Sequence, residues 1–481
     1  MDLLQLPQDI WVLILDLLTQ ADALQLARVS RAAHWVAMPR VLYQVELRWE
    51  RAATWEHPQP QISGAQVLSF ASLILGNPDT YAHHVKSLTI HWSPNFHLGE
   101  NYLAHKELVR ALRHVSSVRQ LTLTEAKSDC GFNSEVVDVM ASQDRLQCIR
   151  LDRFDMNAMS LLERTVSRLR EIILVADLGR GYGLFDFDYL RPHAETLEVF
   201  RAFASTVSSK LPPTDGDIWT RLHTLEIQDA DLYFQPLVIP FVRAFPHVRC
   251  LSLKTNGFHL MEPLAWPSLD VVNLSRVCLN LVTPVRVVYL DSFTHHDFPP
   301  RFLEHTQPAV LSLHLDYVTL HSGKMRFLDL LTTSKGLRSL RYLQLRLDTI
   351  RGNTQPTDSK SMDALKQLAE LGWLLHAISL CYRPHPFGSD WEDDCSETPA
   401  SRENMAKSIA ALFPTVELVG LGFHQHALFS ASTPLVITPT IWYRVRRVRD
   451  NTGDEVIVEA AHPEETAEIN RYVENLGRSA T

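Results

Sequence analysis

The chain is predicted to be an α/β protein. A three-helix module comes first, an irregular strand–helix solenoid fills the middle, and a β-hairpin with a capping helix closes it. Three observations carry this reading. Residues 1–49 hold short apolar stretches at helical spacing. An apolar-x-x-apolar-x-apolar pattern then recurs from Val85 to Leu421, and Asp450-Asn451-Thr452-Gly453-Asp454 sits between two strand-like runs. The divisions that follow are 1–49 for the helical module, 50–84 for a linker or N-terminal cap of the repeats, 85–425 for the solenoid, and 426–481 for the hairpin and helix.

In the module, Pro7 opens a helix at a position where a missing N–H costs nothing, and Asp9 lies near the positive end of the helix dipole. Ile10, Leu13, Ile14, Leu17 and Leu18 follow at the spacing of one helical face. Asp22 is placed as the N-cap of a second helix carrying Leu24, Leu26 and Ala27. Ser30 is placed as the cap of a third that runs through Trp35 and Val36 and ends at Pro39. So small a bundle buries too little to stand alone, so some of its apolar residues must face a partner or the rest of the chain. A helical cap over the open end of the solenoid would satisfy the same need.

The order Leu6-Pro7, Ile10-Trp11, Ile14-Leu15, Val29-Ser30-Arg31 and Leu42-Tyr43 resembles an F-box, the short module that docks a Skp-type adaptor of cullin-based ubiquitin ligases. The resemblance covers about a tenth of the chain. It implies that Leu6, Pro7, Ile10, Ile14, Leu15 and Leu18 face the adaptor or support that face. Val29, Ser30 and Arg31 complete the set and, with Trp35, close the helical hairpin. Ala32-Ala33-His34 departs from the family, which more often has bulkier or Cys-like residues there.

The repeat begins with Val85/Leu88/Ile90, Val118/Leu121/Leu123, Leu146/Ile149/Leu151, Leu169/Ile172/Leu174 and Ala194/Leu197/Val199. It continues through Leu222/Leu225/Ile227, Val248/Leu251/Leu253, Leu269/Val272/Leu274, Val285/Val288/Leu290 and Val310/Leu313/Leu315. Leu340/Leu343/Leu345, Leu375/Ile378/Leu380 and Val416/Val419/Leu421 complete it. The mean step is about 28 residues, and the last two apolar positions of each copy alternate with polar ones, as in a strand with one buried face. Helical patterns lie between copies at residues 103–115, 134–141, 159–166, 327–332, 362–370 and 404–412. Strand plus helix at this period resembles a leucine-rich-repeat solenoid, in a degenerate style found among F-box proteins of filamentous fungi. An α/β domain with ordinary alternating elements is the competing reading. The step from Leu269 to Val285 has no room for a helix, so it holds a bare turn, or the Val285 copy belongs to a loop. At the C-terminus, 437–448 and 455–460 read as the hairpin strands, and 463–476 as a helix covering the last repeat.

Composition narrows the function. A net charge of −9 offers nucleic acid no long-range attraction, and no apolar run is long enough to span a membrane. Neither nucleic acid nor membrane is an expected partner. Six scattered cysteines (Cys130, Cys148, Cys250, Cys278, Cys381, Cys395) without a C-x-x-C imply free thiols in the cytoplasm or nucleus. No phosphate loop, nucleophile elbow or zinc-protease motif occurs, so no catalytic residue, metal or cofactor is assigned. His424-Gln425-His426 and His295-His296-Asp297 lack a third ligand, and His83-His84 precedes a strand. Asp390–Asp394 reads as a solvated acidic loop, Gly179–Gly183 as a turn, and Arg444, Arg446, Arg447 and Arg449 as a solvated basic strand divided between two faces. The aromatics after the strands (Trp92, Phe154, Phe200, Phe203, Phe258, Phe293, Tyr317, Tyr382, Phe423) read as packing, with a minority as recognition anchors.

Taken with the F-box resemblance, these features imply a substrate-receptor subunit of a cullin-RING ubiquitin ligase. The module would bind the Skp-type adaptor and the solenoid an unknown target. Alternatives are a scaffold in a non-ligase adaptor assembly, or a plain repeat-type interaction module.

Overall fold

A computed structural model describes residues 6–49, 64–92, 98–127, 132–176, 184–185, 187–203, 206–207, 219–230, 239–291, 301–315, 331, 337–349, 359–384, 399–423, 440–450 and 453–477. The protein is a mixed α/β structure with helices at the N-terminus and extensive parallel strand pairing. It divides into two compact units, Met1–Leu225 with Asp229–Phe245, and Glu226–Gln228 with Pro246–Thr481. No helix among the described residues is long and apolar enough to cross a membrane.

The first unit opens with three helices: α1 (Gln8–Leu17), α2 (Gln20–Ala27) and α3 (Arg31–Tyr43). Ser30 caps α3 as expected, its hydroxyl accepting from Ala33 N at 3.1 Å. Two expectations fail. The N-cap of α2 is Thr19, whose Oγ1 accepts from the Asp22 amide, because the helix begins two residues before Asp22. Pro39 lies inside α3 instead of ending it, and the helix continues far enough to bury Leu42. Small buried alanines (Ala23, Ala27, Ala33, Ala37) let α2 and α3 approach closely.

Strands β1 (Gln44–Arg48), β2 (Ser87–His91), β3 (Gln120–Thr124), β4 (Cys148–Asp152), β5 (Glu171–Val175) and, after the two-residue β6 (Leu184–Phe185), β7 (Val199–Phe203) pair in parallel in that order. β6 pairs separately with β8 (Thr206–Val207). Each of the first four triplets is fully buried, with Leu88/Ile90, Leu121/Leu123, Ile149/Leu151 and Ile172/Leu174 in register across the strands. Helices Leu98–His114, Ser134–Ala141 and Met156–Arg164 lie between strands where helical patterns were expected. The repeat starts earlier than Val85: Leu42, Val45 and Leu47 form a buried copy whose strand is β1. At the fifth position the inward set is Leu197/Phe200/Ala202, not Ala194/Leu197/Val199, because β7 begins at Val199 and pairs Phe200 with Ile172. Phe187, Phe200, Trp219 and Phe245 make an aromatic core, with Trp219 and Phe245 centroids 5.1 Å apart. Strand β9 (Thr224–Ala230), with Leu222, Leu225 and Ile227 buried, is divided between the units.

In the second unit β10 (Cys250–Leu264), β11 (Val271–Leu281), β12 (Val287–Asp291), β13 (Val310–Leu315), β14 (Tyr342–Thr349), β15 (Ala377–Pro384) and β16 (Leu418–Phe423) are parallel neighbours. β17 (Thr440–Asp450) joins β16 antiparallel, and β18 (Gly453–Ala460) completes the expected hairpin. The Val285 copy is a strand reached from β11 by a bare turn. At β13 the inward set is Pro308/Leu311/Leu313, two residues before the expected triplet, since Leu311 and Leu313 pair with Val288 and Leu290. Helices Ser359–Ala369 and Pro399–Leu412 match the expected patterns within a few residues; the stretch 327–332 lies outside the described residues apart from Leu331.

The C-terminal helix, Pro463–Asn475, covers the last repeat's Leu418 and reaches well beyond it. Its Ile469 and Val473 lie against Val287, Val310, Tyr342, Ala377, Leu418 and Trp442, one residue from each of six strands. The Arg286 guanidinium fixes its last turn by donating to the Glu474 carbonyl at 2.5 Å while bound to Asp270 at 2.8 and 3.0 Å. Arg447 is exposed, as expected of the basic strand, yet it is tethered: it donates to the carbonyls of Ala410, Phe413 and Val416 at 2.8–3.1 Å, around the end of helix Pro399–Leu412.

Two histidines in the first unit are held neutral. Burial lowers the pKa of His193, although its Nε2 donates to Leu162 O at 2.9 Å, and its buried Nδ1 has no partner among the described residues for a second proton. Burial, then His83 and Lys86, push His84 down to about 4. The unfolded chain takes up protons at an ordinary histidine pKa near 6.5 that the folded chain refuses. Stability from this source is therefore full above about pH 6.5 and is lost as the pH falls toward 4. Calorimetry should show the melting temperature dropping between pH 7 and 5, and a His84→Gln/His193→Gln variant should flatten that drop.

Candidate functional site

The apolar stripe of α1 faces outward. Trp11 and Leu15, which are 6% and 8% exposed, anchor the helix, while Leu13 and Leu17, on the opposite face, are 62% and 87% exposed. Ile10 and Val12 are exposed as well. Positions 10, 13 and 17 lie one above another on a helix, so these side chains form a continuous apolar ridge. In the following helices Leu24 is exposed and Val29, in the turn between α2 and α3, is 76% exposed. Water-facing aliphatic residues are ordinary when scattered; here they are gathered into a ridge on one short module, which makes it a candidate interaction surface.

The module holds this surface firmly. Arg40 Nε donates to Leu18 O at 3.0 Å and Gln20 Nε2 to Val41 O at 2.9 Å, tying the ends of α1 and α2 to α3. Trp35 stacks on Tyr81 with centroids 6.0 Å apart and planes 8° from parallel, and Lys86 N donates to Tyr43 O where α3 passes into β1. The surface is thus preorganised, and a partner would not have to order it.

Of the nine expected docking residues, Pro7, Ile10, Val29, Ser30 and Arg31 are exposed, while Leu6, Ile14 and Leu18 are half-buried. Leu15 is core, and Ser30 spends its hydroxyl on the α3 cap. Leu13 and Leu17 are the most exposed of the large apolar residues of α1, and helical spacing puts them on the same face. What spacing cannot say is whether that face turns inward.

A second constellation was not legible in the sequence. Asp291 accepts from His314 Nδ1 and lies 3.8 Å from Lys254 Nζ on the strands of the second unit. Burial pushes the Asp291 carboxyl up, but His314, Lys254 and Arg346 outweigh it and hold the carboxyl below its ordinary range. The cluster fixes a carboxylate among cations inside the sheet.

Cys148, Cys250 and Cys381 are unbridged; the Cys130, Cys278 and Cys395 side chains lie outside the described residues. Burial and Glu171 raise the Cys148 thiol to about 12, which keeps it a protonated, unreactive group. Among the described residues no His/Cys/Asp/Glu group is arranged to hold a metal. The histidines at 295–296 and 424–426, the glycine turn 179–183 and the acidic loop 390–394 lie outside the described residues. Trp92, Phe154, Phe200 and Phe203 are buried packing; Phe293 and Tyr317, and the side chains of Phe258, Tyr382 and Phe423, lie outside the described set. Compared with known proteins, the chain matches no family model and no curated protein.

Proposed function

We propose that the chain is a substrate-recognition subunit of a Skp–cullin–F-box ubiquitin ligase acting in the cytoplasm or nucleus. In this reading α1–α3 are an F-box that docks the adaptor, and the parallel strands belong to a leucine-rich-repeat-like solenoid that binds the target. The observation that carries it is the outward ridge of Ile10, Leu13 and Leu17, held by a buried Trp11 and Leu15 on the same helix. The order of Leu6-Pro7, Ile10-Trp11 and Val29-Ser30-Arg31 along that module supports the same reading.

The mechanism is proximity. The adaptor and cullin hold a charged conjugating enzyme near a lysine of the bound target, and the rate gain comes from raising the local concentration of reacting groups. The chain supplies no catalytic residue, cofactor or metal to the transfer.

Affinity purification of the full-length chain from cells, blotted for the Skp-type adaptor and a cullin, tests this. Recovery of both is expected. Adaptor without cullin would replace the ligase by a scaffold role, and recovery of neither would overturn the F-box reading.

A further inference from the structure

The first unit carries a basic strip that the apolar ridge does not use. Residues immediately before successive strands fall in one row joined by backbone bonds. Lys86 N donates to Tyr43 O at 3.0 Å, Arg119 N to Lys86 O at 2.7 Å, Gln147 N to Arg119 O at 2.8 Å, and Arg170 N to Gln147 O at 2.8 Å. Arg145 and Arg168 each stand two residues before this row. Neighbouring strands lie about 4.8 Å apart, so five Lys and Arg side chains are gathered along a short edge.

Four of the five charges have no ion-pair partner among the described residues. Arg170 meets Glu198 at 3.8 Å, whereas Lys86, Arg119, Arg145 and Arg168 have no carboxylate within ion-pair distance among the described residues. Arg119, Arg145 and Arg168 are exposed. Burial depresses the Lys86 ammonium, and Arg119 and Arg145 depress it further, which places Lys86 within the field of both. On a chain of net charge −9 this is a local reversal of sign. Uncompensated repulsion of this kind is relieved when an anionic partner is brought in, and it steers that partner's approach.

We propose that this strip docks an acidic, extended segment of a partner protein. Gln120 and Gln147 interleave the cations with amides suited to a peptide backbone. Single-stranded nucleic acid binding leans on aromatic stacking platforms, and between Tyr43 and Arg170 the row offers Tyr43 alone among the described residues; beyond Arg170 it runs on through Glu198 to His223. The assignment stands apart from the adaptor reading and does not depend on it.

The test is fluorescence anisotropy of a labelled decaglutamate peptide titrated with the full chain at low salt, beside a labelled oligothymidylate of equal length. Saturable peptide binding is expected, weakened about tenfold or more by Lys86→Ser/Arg119→Ser/Arg145→Ser and by added salt. Arg164→Ser, which removes a surface cation paired with Asp138 elsewhere in the unit, should leave it unchanged. Should the triple variant lose its circular dichroism, Arg119→Glu at an exposed side chain gives the same readout. No peptide binding, equal binding by the strip variants, or preference for the oligonucleotide would each overturn the proposal.

Discussion

Replacing Trp442 by alanine is expected to destabilise the second unit by about 3–5 kcal/mol, the range for removing a large buried aromatic. Trp442 is 1% exposed and sits where three elements meet. Its strand pairs with β16 opposite Gly420, and a Cβ on that glycine would lie 3.0 Å from the indole, so the glycine is what admits the ring. The ring packs on Tyr342 with centroids 6.1 Å apart, and its Nε1 donates to Asn470 Oδ1 at 2.8 Å on the C-terminal helix. Truncation removes apolar burial, leaves a cavity that the rigid strands cannot close, and strips Asn470 of its donor. Trp442→Phe keeps much of the burial and should cost less, while Asn470→Ala isolates the hydrogen bond at about 0.5–1.5 kcal/mol. Chemical denaturation followed by circular dichroism measures all three. If Trp442→Ala and Asn470→Ala fall together, the helix is held by its polar tether and not by its packing.

The strands show where sequence reading succeeds and where it slips. Leu88/Ile90, Leu121/Leu123 and Ile149/Leu151 were legible because their strands alternate: the intervening Thr89, Thr122 and Arg150 are not buried. Alternation fails at β13, where Val310 and Leu311 are both buried because the C-terminal helix covers the second face. With apolar residues on both faces the period-two signal vanishes, and the triplet was placed two residues late. At β7 the inward pair is Phe200 and Ala202, and Val199 competed as an equally plausible strand residue. The copy at Leu42/Val45/Leu47 escaped because Leu42 still belongs to α3. A pattern tied to strand starts does not look inside a helix. The exposed ridge was legible as a helical face, but its orientation was not. Periodicity records that Ile10, Leu13 and Leu17 share a side, whereas Trp11 and Leu15 decide which side meets the core.

That distinction makes the ridge separable from the fold by mutation. A Leu13→Glu/Leu17→Glu variant should retain its melting temperature, because both side chains already stand in water and glutamate forms helix about as readily as leucine. Its capture of the Skp-type adaptor should fall by about a hundredfold or more. Each leucine buried in an interface is worth about 1.5–3 kcal/mol, and an unpaired carboxylate in its place adds a desolvation cost, against 1.4 kcal/mol for each factor of ten. Trp11→Ala should behave differently, costing about 3–5 kcal/mol of stability and losing capture as a consequence of unfolding. Measured side by side, calorimetry and adaptor binding separate a surface that docks from a helix that merely completes the core. Undiminished capture by the glutamate variant would mean that the ridge is not the docking site, whatever the stability of the module around it.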